Sequence, residues 1–266
     1  MATYLDAIVA HHRARAGADR RSRAELAEAA AAASAPRDFL GALAAPPGAV
    51  AVIAEIKRRS PSKGDLAPDL DPAGLAAAYR AGGAAALSVL TDAPHFGGGA
   101  ADLVAARAAT PLPVLRKDFT VAALDCYDAR AMGADAVLLI AAALSDGELE
   151  ELAGVAGVLG LAALVEVHDE AELDRALGIG ARLVGVNQRD LHTFEVDTER
   201  ALRVGAAIPS GVVRVAESGI RDHADLARLA QGGFDAVLVG ERLVTAPDPG
   251  AALAALRGAS APAGSR

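Results

Sequence analysis

Lysine is rare in this chain, and its positions point to chemistry. Among the 26 lysine and arginine residues, only Lys57, Lys63 and Lys117 are lysines. Lys57 and Lys117 stand at the ends of apolar runs. An ammonium group is a compact charge that gives up its proton when it is partly desolvated, whereas a guanidinium group stays charged. The two lysines therefore suggest proton transfer or close contact with an anion.

Carboxylates accompany these lysines. Glu55 precedes Lys57 by two residues, so strand alternation points both side chains to one face, and Glu166 and Glu217 end later apolar runs. A buried charge is costly unless it is paired, so we expect these groups to pair with one another. An acid–base site and a purely structural ion network both satisfy that expectation, and no single pair decides between them.

Eight apolar runs supply the frame that would position these side chains. Their spacing leaves room each time for a loop, a helix and a return, and their continuous apolarity is typical of parallel strands covered on both faces. The predicted strands are Val50–Ile56, Ala85–Leu90, Val114–Leu115, Ala136–Ile140, Ala162–Val167, Leu183–Val186, Val212–Ala216 and Ala236–Val239. The predicted helices between them are Pro72–Ala81, Ala100–Ala109, Ala122–Met132, Glu148–Gly157, Ala171–Leu177 and His223–Gln231.

Eight strand–helix units favour a single α/β domain of the (β/α)8 or TIM-barrel class. An open doubly wound sheet is the alternative, but the Gly-x-Gly-x-x-Gly fingerprint is absent after the first strand. Residues 50–257 would form the barrel. Residues 1–49, with helical patterns at Tyr4–Ala16 and Arg23–Ala33, would pack on it as an N-terminal helical extension. Residues 258–266 are expected to be a disordered tail.

Composition excludes several classes of function. The net charge of −8 argues against a nucleic-acid partner. The chain begins without a secretion signal and has no apolar stretch long enough for a membrane span, so we expect a cytoplasmic protein without membrane contact. Cys126, the single cysteine, is expected to be a buried structural thiol. No His-x-x-x-His or clustered Cys/His spacing predicts a metal site. Oligomeric state is open, with a monomer as the working expectation.

Two successive strand ends predict a phosphate site. In (β/α)8 barrels, functional groups gather at the carboxyl ends of the strands, and phosphate commonly binds after the last two. Ser218-Gly219-Ile220 and Gly240-Glu241 occupy those places, where glycine lets backbone N–H groups approach an anion. Ser60, beside Lys57, could reach the same group. A phosphorylated small molecule is the expected partner.

At these positions the sequence resembles the indole-3-glycerol phosphate synthase family. The resemblance implies ring closure of 1-(2-carboxyphenylamino)-1-deoxyribulose 5-phosphate with loss of CO2 and water, without cofactor or metal. It covers most of the chain and rests on motifs in the family's order. These motifs are Ala54-Glu55-Ile56-Lys57 through Gly64, Leu90-Thr91-Asp92 with Phe96, Leu115-Arg116-Lys117-Asp118-Phe119, Leu164-Val165-Glu166-Val167-His168, Gly185-Val186-Asn187 through Leu191, and Ala216-Glu217-Ser218-Gly219-Ile220.

The resemblance also implies roles for individual residues. Lys117 would be the acid at the sugar carbonyl and Glu166 the base for dehydration, with Glu55 and Lys57 assisting. Lys57 would also face the substrate carboxylate. Asn187 would hold a substrate hydroxyl as the fifth catalytic residue. The implied substrate-binding residues are Ser60, Phe96, Phe119, Arg189, Glu217, Ser218, Gly219, Gly240 and Glu241.

Two other readings compete with this one. A barrel like phosphoribosylanthranilate isomerase shares a phosphate site, but it is expected to use a cysteine at the end of the first strand, where this chain has Glu55 and Lys57. A non-catalytic barrel that binds a phosphometabolite is the second. Gln188 and Arg242 depart from the family pattern. His95, His168, His192 and His223 are predicted to lie outside the chemistry.

Overall fold

The computed structural model describes residues 4–44, 49–61, 63–190 and 193–259. Eight parallel strands in these ranges form a closed barrel in which each strand pairs with the next along the chain and the last pairs with the first. The predicted (β/α)8 architecture is therefore confirmed. The strands are β1 Ala51–Ile56, β2 Ala86–Leu90, β3 Val114–Lys117, β4 Ala136–Ile140, β5 Ala162–Val167, β6 Leu183–Asn187, β7 Val213–Glu217 and β8 Ala236–Val239.

Helices surround the barrel and also precede it. Polar residues cap many of them: Asp71, for example, accepts hydrogen bonds from the N–H groups of Ala73 and Gly74, and Gly83 ends the same helix with φ of 90°. The helices are α1 Tyr4–Ala18, α2 Arg23–Ala32, α3 Phe39–Ala42, α4 Pro72–Gly82, α5 Ala93–Phe96, α6 Ala100–Ala109, α7 Ala123–Ala131, α8 Asp146–Val158, α9 Glu170–Gly178, α10 Arg200–Gly205, α11 His223–Gln231, α12 Glu241–Val244 and α13 Pro249–Leu256, with a 3-10 turn at Ala141–Ala143.

Three of the strands reach further toward their carboxyl ends than the apolar runs do. Lys117 pairs with Leu90 of β2, and Asn187 of β6 pairs with Glu217 of β7. The predicted ends at Leu115, Val186 and Ala216 were therefore one or two residues short, because backbone pairing continues where the side chains become polar. As a result these polar side chains stand on rigid strands and not on loops. Helices α5, α10 and α13 were not among the predicted elements.

The apolar core has two layers. One lies between the strands and the outer helices. The other fills the barrel interior with side chains such as Ile53, Leu138 and Leu238, all at most 5% exposed. Helix α3 contributes Phe39 and Leu43 to this interior layer, and both are essentially inaccessible to solvent. This short helix therefore closes the interior layer from the side of the N-terminal extension.

The rest of the extension is attached at separate points. Leu26 and Ala30 of α2 pack against Tyr127 of α7. Before α3, the backbone N–H of Arg37 donates to the buried carboxylate of Asp135 at 2.7 Å. The domain boundaries proposed from the sequence stay predictions, and most of the predicted tail, residues 260–266, lies outside the described residues. None of the helices in the described ranges is both long and apolar enough to cross a membrane.

Phe39→Ala should destabilise the barrel strongly. The change removes a ring that is 1% exposed and leaves a cavity in the interior layer. We expect the free energy of unfolding to fall by about 3–5 kcal/mol, measured by urea titration. Val158→Ala is the matched control because Val158 is 85% exposed, and it should change stability by less than about 0.5 kcal/mol. Equal effects of the two changes would contradict the proposed closing role of α3.

Candidate active site

A cavity of about 510 Å³ opens at the carboxyl ends of the strands. Parallel strands in a closed barrel all end on the same rim, so groups from distant parts of the chain meet there. Every residue that the sequence predicted for the site lines this cavity. These residues are Glu55, Lys57, Ser60, Phe96, Lys117, Phe119, Glu166, Asn187, Arg189, Glu217, Ser218, Gly219, Gly240 and Glu241.

Lys117 of β3 lies between two carboxylates. Its Nζ donates a hydrogen bond to Oε2 of Glu166 at 3.3 Å and lies 3.7 Å from Oε2 of Glu217. Burial alone would lower the pKa of Lys117, but the charges of Glu166, Glu217 and Glu55 outweigh it and raise the pKa above its ordinary value. Lys117 is therefore held protonated, as a proton donor must be.

Glu166 of β5 is buried, with 1% exposure, and its carboxylate contacts several polar groups. Burial would raise the pKa of Glu166, but Lys117 and His168 outweigh it, and the amide of Asn187 adds a hydrogen bond to Oε1 at 3.1 Å. Its pKa consequently lies below the ordinary value, so Glu166 is ionised and is able to accept a proton.

His168 is a neighbour of Glu166 that the sequence analysis set aside. Its Nε2 lies 3.7 Å from Oε1 of Glu166, and its Nδ1 lies 3.0 Å from Oε2 of Glu172. Burial lowers the pKa of His168, but its hydrogen bond with Glu172 and the charge of Glu166 reverse this and raise the pKa overall. The available signal was the position of His168, two residues beyond Glu166 and directly after the end of β5. His168 does not line the cavity.

Glu217 of β7 is in a different electrostatic state from Glu166. Its Oε1 is buried and has no hydrogen-bond partner among the described residues. Burial, followed by the negative charge of Glu166, raises the pKa of Glu217 to about 8 despite the nearby ammonium of Lys117. Glu217 is thus largely a neutral acid at neutral pH. The two carboxylates beside one lysine have been pushed to opposite protonation states.

Glycine makes room for these carboxylates. A Cβ on Gly185 would lie 2.3 Å from Oε1 of Glu217, and a Cβ on Gly240 would lie 2.3 Å from Oε1 of Glu55. Glu55 in turn forms an ion pair with Lys57, with Oε1 and Nζ 2.6 Å apart. The strand positions of Gly185 and Gly240 therefore leave the space that the charged groups occupy.

The side of the cavity that the sequence predicts to bind phosphate has unusual backbone geometry. Ser218 and Gly219 both have positive φ, 66° and 72°. The side-chain amide of Gln188 donates to the carbonyl of Ser218 at 2.6 Å, and Oγ of Ser218 donates to Oδ1 of Asn187 at 2.9 Å. Gln188, a departure from the family pattern, thus holds this turn in place. Nearby, the buried hydroxyl of Ser60 has no partner among the described residues.

Cationic side chains add to this end of the cavity. Lys63, Arg221 and Arg242 line it, although sequence reasoning had not included them in the site. Lys63 forms an ion pair with Glu241 at 2.5 Å, and Nε of Arg242 donates to the carbonyl of Arg221 at 3.1 Å. Arg242 had been noted only as a departure from the pattern. The sequence signal that was missed is therefore the pair of arginines, Arg221 and Arg242, beside the predicted phosphate loops.

The opposite side of the cavity is apolar. Phe96 and Phe119 line it together with Tyr4, Leu5 and Ile8 of α1. The sequence placed both phenylalanines there but did not assign α1 to the site, because no motif in the helix marks it. Only the packing of α1 over the rim, which buries Leu5 and Ile8, makes it part of the wall.

Cys126 takes no part in the site. It is fully buried in α7, and burial raises the pKa of its thiol to about 12. The structural thiol predicted from the sequence is what the structure contains. Cys126 lies in α7 and not at the end of β1, where a barrel like phosphoribosylanthranilate isomerase is expected to use a cysteine.

The fold and the acid–base groups at its carboxyl rim define a (β/α)8-barrel enzyme. Among solved structures, a 3-hexulose-6-phosphate synthase superposes with a TM-score of 0.61 at 19% identity, covering 80% of this chain and all of its own. A thiamine phosphate pyrophosphorylase from Pyrococcus furiosus gives 0.59 at 17% identity, covering 80% of this chain and 95% of its own. At such low identity these similarities support the fold alone.

The sequence comparisons are more specific. The family model for indole-3-glycerol phosphate synthase matches residues 5–256. An indole-3-glycerol phosphate synthase of Mycolicibacterium gilvum (strain PYR-GCK) is 51% identical over 96% of this chain and 94% of the relative, and one of Parafrankia sp. (strain EAN1pec) is 56% identical over 80% and 79%. The chain belongs to the indole-3-glycerol phosphate synthase family. It is accordingly an enzyme, a decarboxylating carbon–carbon lyase of tryptophan biosynthesis.

The raised pKa of Glu217 predicts a pH-dependent effect of Glu217→Gln on stability. The folded chain keeps a proton on Glu217 up to about pH 8, whereas an ordinary glutamate loses it near 4.5. This stabilisation is fully present below about pH 4.5 and is lost as the pH rises toward 8. Glutamine cannot ionise, so the variant should gain at least about 1.4 kcal/mol relative to the unmodified chain between pH 5 and pH 8.

Urea unfolding of both proteins at the two pH values measures this gain. Glu150→Gln is the matched control because Glu150 is exposed on the surface. Its difference from the unmodified chain should be the same at pH 5 and pH 8. A pH-independent difference for Glu217→Gln would show that Glu217 is already ionised in the folded state.

Proposed function

We propose that the enzyme converts 1-(2-carboxyphenylamino)-1-deoxyribulose 5-phosphate into indole-3-glycerol phosphate, CO2 and water. The ring carbon that bears the carboxylate attacks the carbonyl carbon of the sugar chain, the carboxylate leaves as CO2, and the resulting hydroxyl leaves as water. The observation that carries the proposal is the position of Lys117 between Glu166 and Glu217 on the wall of a cavity with one cationic end and one apolar side.

The cationic end of the cavity suits the phosphate. Ser60 offers an unpartnered buried hydroxyl, and the backbone at Gly219, Gly240 and Glu241 lines the same region. Arg221 and Arg242, which share a hydrogen bond, add positive charge there. Backbone N–H groups and cationic side chains together are a common way of binding a phosphate dianion.

The rest of the cavity suits the other half of the substrate. Lys57 is assigned to the carboxylate, since its ammonium is partly exposed and is bound by Glu55 only on one side. Phe96 and Phe119 are assigned to the aromatic ring, with the apolar side chains of α1 beyond them. In this pose the ring carbon and the sugar carbonyl lie between the two lysines.

Proton transfer is assigned to the cluster around Lys117. Lys117 protonates the carbonyl oxygen as the new carbon–carbon bond forms. In the dehydration step the new hydroxyl takes a second proton from the neutral carboxyl of Glu217 and leaves as water. Glu166, ionised and oriented by Asn187, removes the proton from the adjacent CH2 carbon of the newly closed ring. Asn187 also contacts Ser218 and the N–H of Arg189, so a substrate hydroxyl beside it would be held by groups that are already positioned. Glu55 and Glu217 complete the charge balance, Glu217 as a neutral acid.

The reaction is tested directly by its product. Purified enzyme mixed with the carboxyphenylamino-deoxyribulose phosphate should develop indole fluorescence and release one CO2 for each product formed. Appearance of that same compound from phosphoribosylanthranilate, without fluorescence, would favour the isomerase alternative. Binding of the compound without turnover would favour a non-catalytic phosphometabolite-binding barrel.

Replacement of Lys117 separates charge from proton donation. Lys117→Arg keeps a positive charge near Glu166 and Glu217, but a guanidinium does not give up its proton. Both Lys117→Arg and Lys117→Ala should therefore lower kcat by about 10²–10⁴-fold in the fluorescence assay. Arg80→Lys is the control, an exchange of the same two residue types at an exposed position of α4 outside the cavity, and it should keep kcat near the original value. Turnover by Lys117→Arg close to the original value would remove Lys117 as the acid.

A further inference from the structure

Half of the chain's histidines meet at the edge of the cavity. His11 and His12 of α1 lie beside His95 of α5, with ring centroids 5.5 Å apart for His11 and His95. Two aspartates stand against them, Asp92 at 2% exposure and Asp118 at 3%. Sequence reasoning had set His95 aside and predicted no metal site, because these residues are far apart along the chain.

The donor atoms of three of these residues converge. Nε2 of His12 lies 3.2 Å from Oδ2 of Asp92, and Nδ1 of His95 lies 2.8 Å from the same oxygen. All three donor atoms lie within 4.8 Å of one another. A tetrahedral metal bound at ~2.0–2.1 Å needs its ligand atoms ~3.3 Å apart. The two nitrogen–oxygen distances, 3.2 and 2.8 Å, lie close to that value, so small side-chain rotations would admit an ion.

The charges around this cluster favour a cation. Asp118 is already neutralised by Arg116, whose Nη2 donates to it at 2.7 Å, and its Oδ1 still lies 3.6 Å from Nε2 of His12. Asp92 has no arginine or lysine partner among the described residues and is contacted only by histidines and one backbone N–H. Two imidazoles and one uncompensated buried carboxylate are the donor set that suits Zn²⁺ and its neighbours in the first transition row.

A second observation comes from the far side of His12. Its ring is 4% exposed, and its Nδ1 has no hydrogen-bond partner among the described residues. Among the described residues, His12 makes its side-chain hydrogen bond through Nε2, the atom that faces Asp92 and His95. Nε2 is therefore the nitrogen of His12 that is available to a metal ion, and it lies beside the donor atoms of Asp92 and His95.

We propose that His12, Asp92 and His95 bind a divalent transition-metal ion, with Zn²⁺ as the representative, beside the Arg116–Asp118 ion pair. The ion would join α1 to the segment after β2 and so fix the helix that forms the apolar wall of the cavity. Its role is structural, and no step of the proposed reaction passes through it. The side chain of His95, 20% exposed, gives the ion a route from solvent.

The test uses the full chain without an affinity tag, freed of metal by dialysis against a chelator. Titration with Co²⁺ should produce visible absorption bands of a low-coordinate site that saturate at one ion per chain, and Zn²⁺ should displace it. Zn²⁺ should also raise the melting temperature, since an ion that binds only the folded chain stabilises it. Absence of saturable binding would overturn the proposal.

Glutamine variants locate the ion. His12→Gln and His95→Gln keep a hydrogen-bond donor toward Asp92 but remove a good metal ligand, and each should weaken Co²⁺ binding by at least about tenfold. His223→Gln, at a histidine that contacts the carbonyl of Leu256, is the matched control and should bind as before. Unchanged affinity in both cluster variants would place the ion elsewhere and refute the assignment. Should His12→Gln fail to fold, the partly exposed His95→Gln still decides the question.

Discussion

One buried ammonium shared between two carboxylates governs the organisation of this molecule. Lys117, Glu166 and Glu217 come from three different strands and meet where solvent hardly enters. Burying any one of these charges without a partner would cost a large free energy. The fold therefore has to bring all three groups together or bury none of them. Closing eight parallel strands into a barrel satisfies that requirement, because the closure places every strand end on one rim.

The excess of negative over positive charge in this cluster determines the protonation states of its members. One ammonium cannot neutralise two carboxylates, and Glu55 adds a third negative charge nearby, already paired with Lys57. The structure resolves the excess by protonation: the pKa of Glu166 falls, while that of Glu217 rises to about 8. An ionised base and a neutral acid then stand on either side of a charged lysine. The same arrangement that makes the cluster stable enough to bury also poises it for proton transfer.

The N-terminal extension closes the barrel at two places. Helix α3 inserts Phe39 into the apolar interior, and α1 covers the rim at the carboxyl ends of the strands with Leu5 and Ile8. Because α1 carries no strand pairing, its position depends on side-chain contacts alone, among them His12 with Asp92 and Phe119. The extension is thus part of the cavity wall, a position that its helical pattern did not indicate.

Sequence by itself determined the barrel and most of its rim. Eight apolar runs of strand length can bury both faces only in a parallel sheet covered by helices, and alternation places Glu55 and Lys57 on one face whatever lies around them. Strand ends and motif order then identified many of the residues that line the cavity, including Gly219 and Gly240.

Only the tertiary structure decided the electrostatics and the contacts between distant segments. The different pKa values of Glu166 and Glu217 depend on burial and on distances to Lys117, neither of which a linear pattern contains. The space required at Gly185 and Gly240 depends on carboxylates from other strands. His12 and Asp92 are separated by 80 residues, so their meeting is a property of packing. Local sequence patterns determine which helices and strands form. The pKa values and the close contacts depend on distances of a few ångströms, and these distances are set only when the helices and strands pack together.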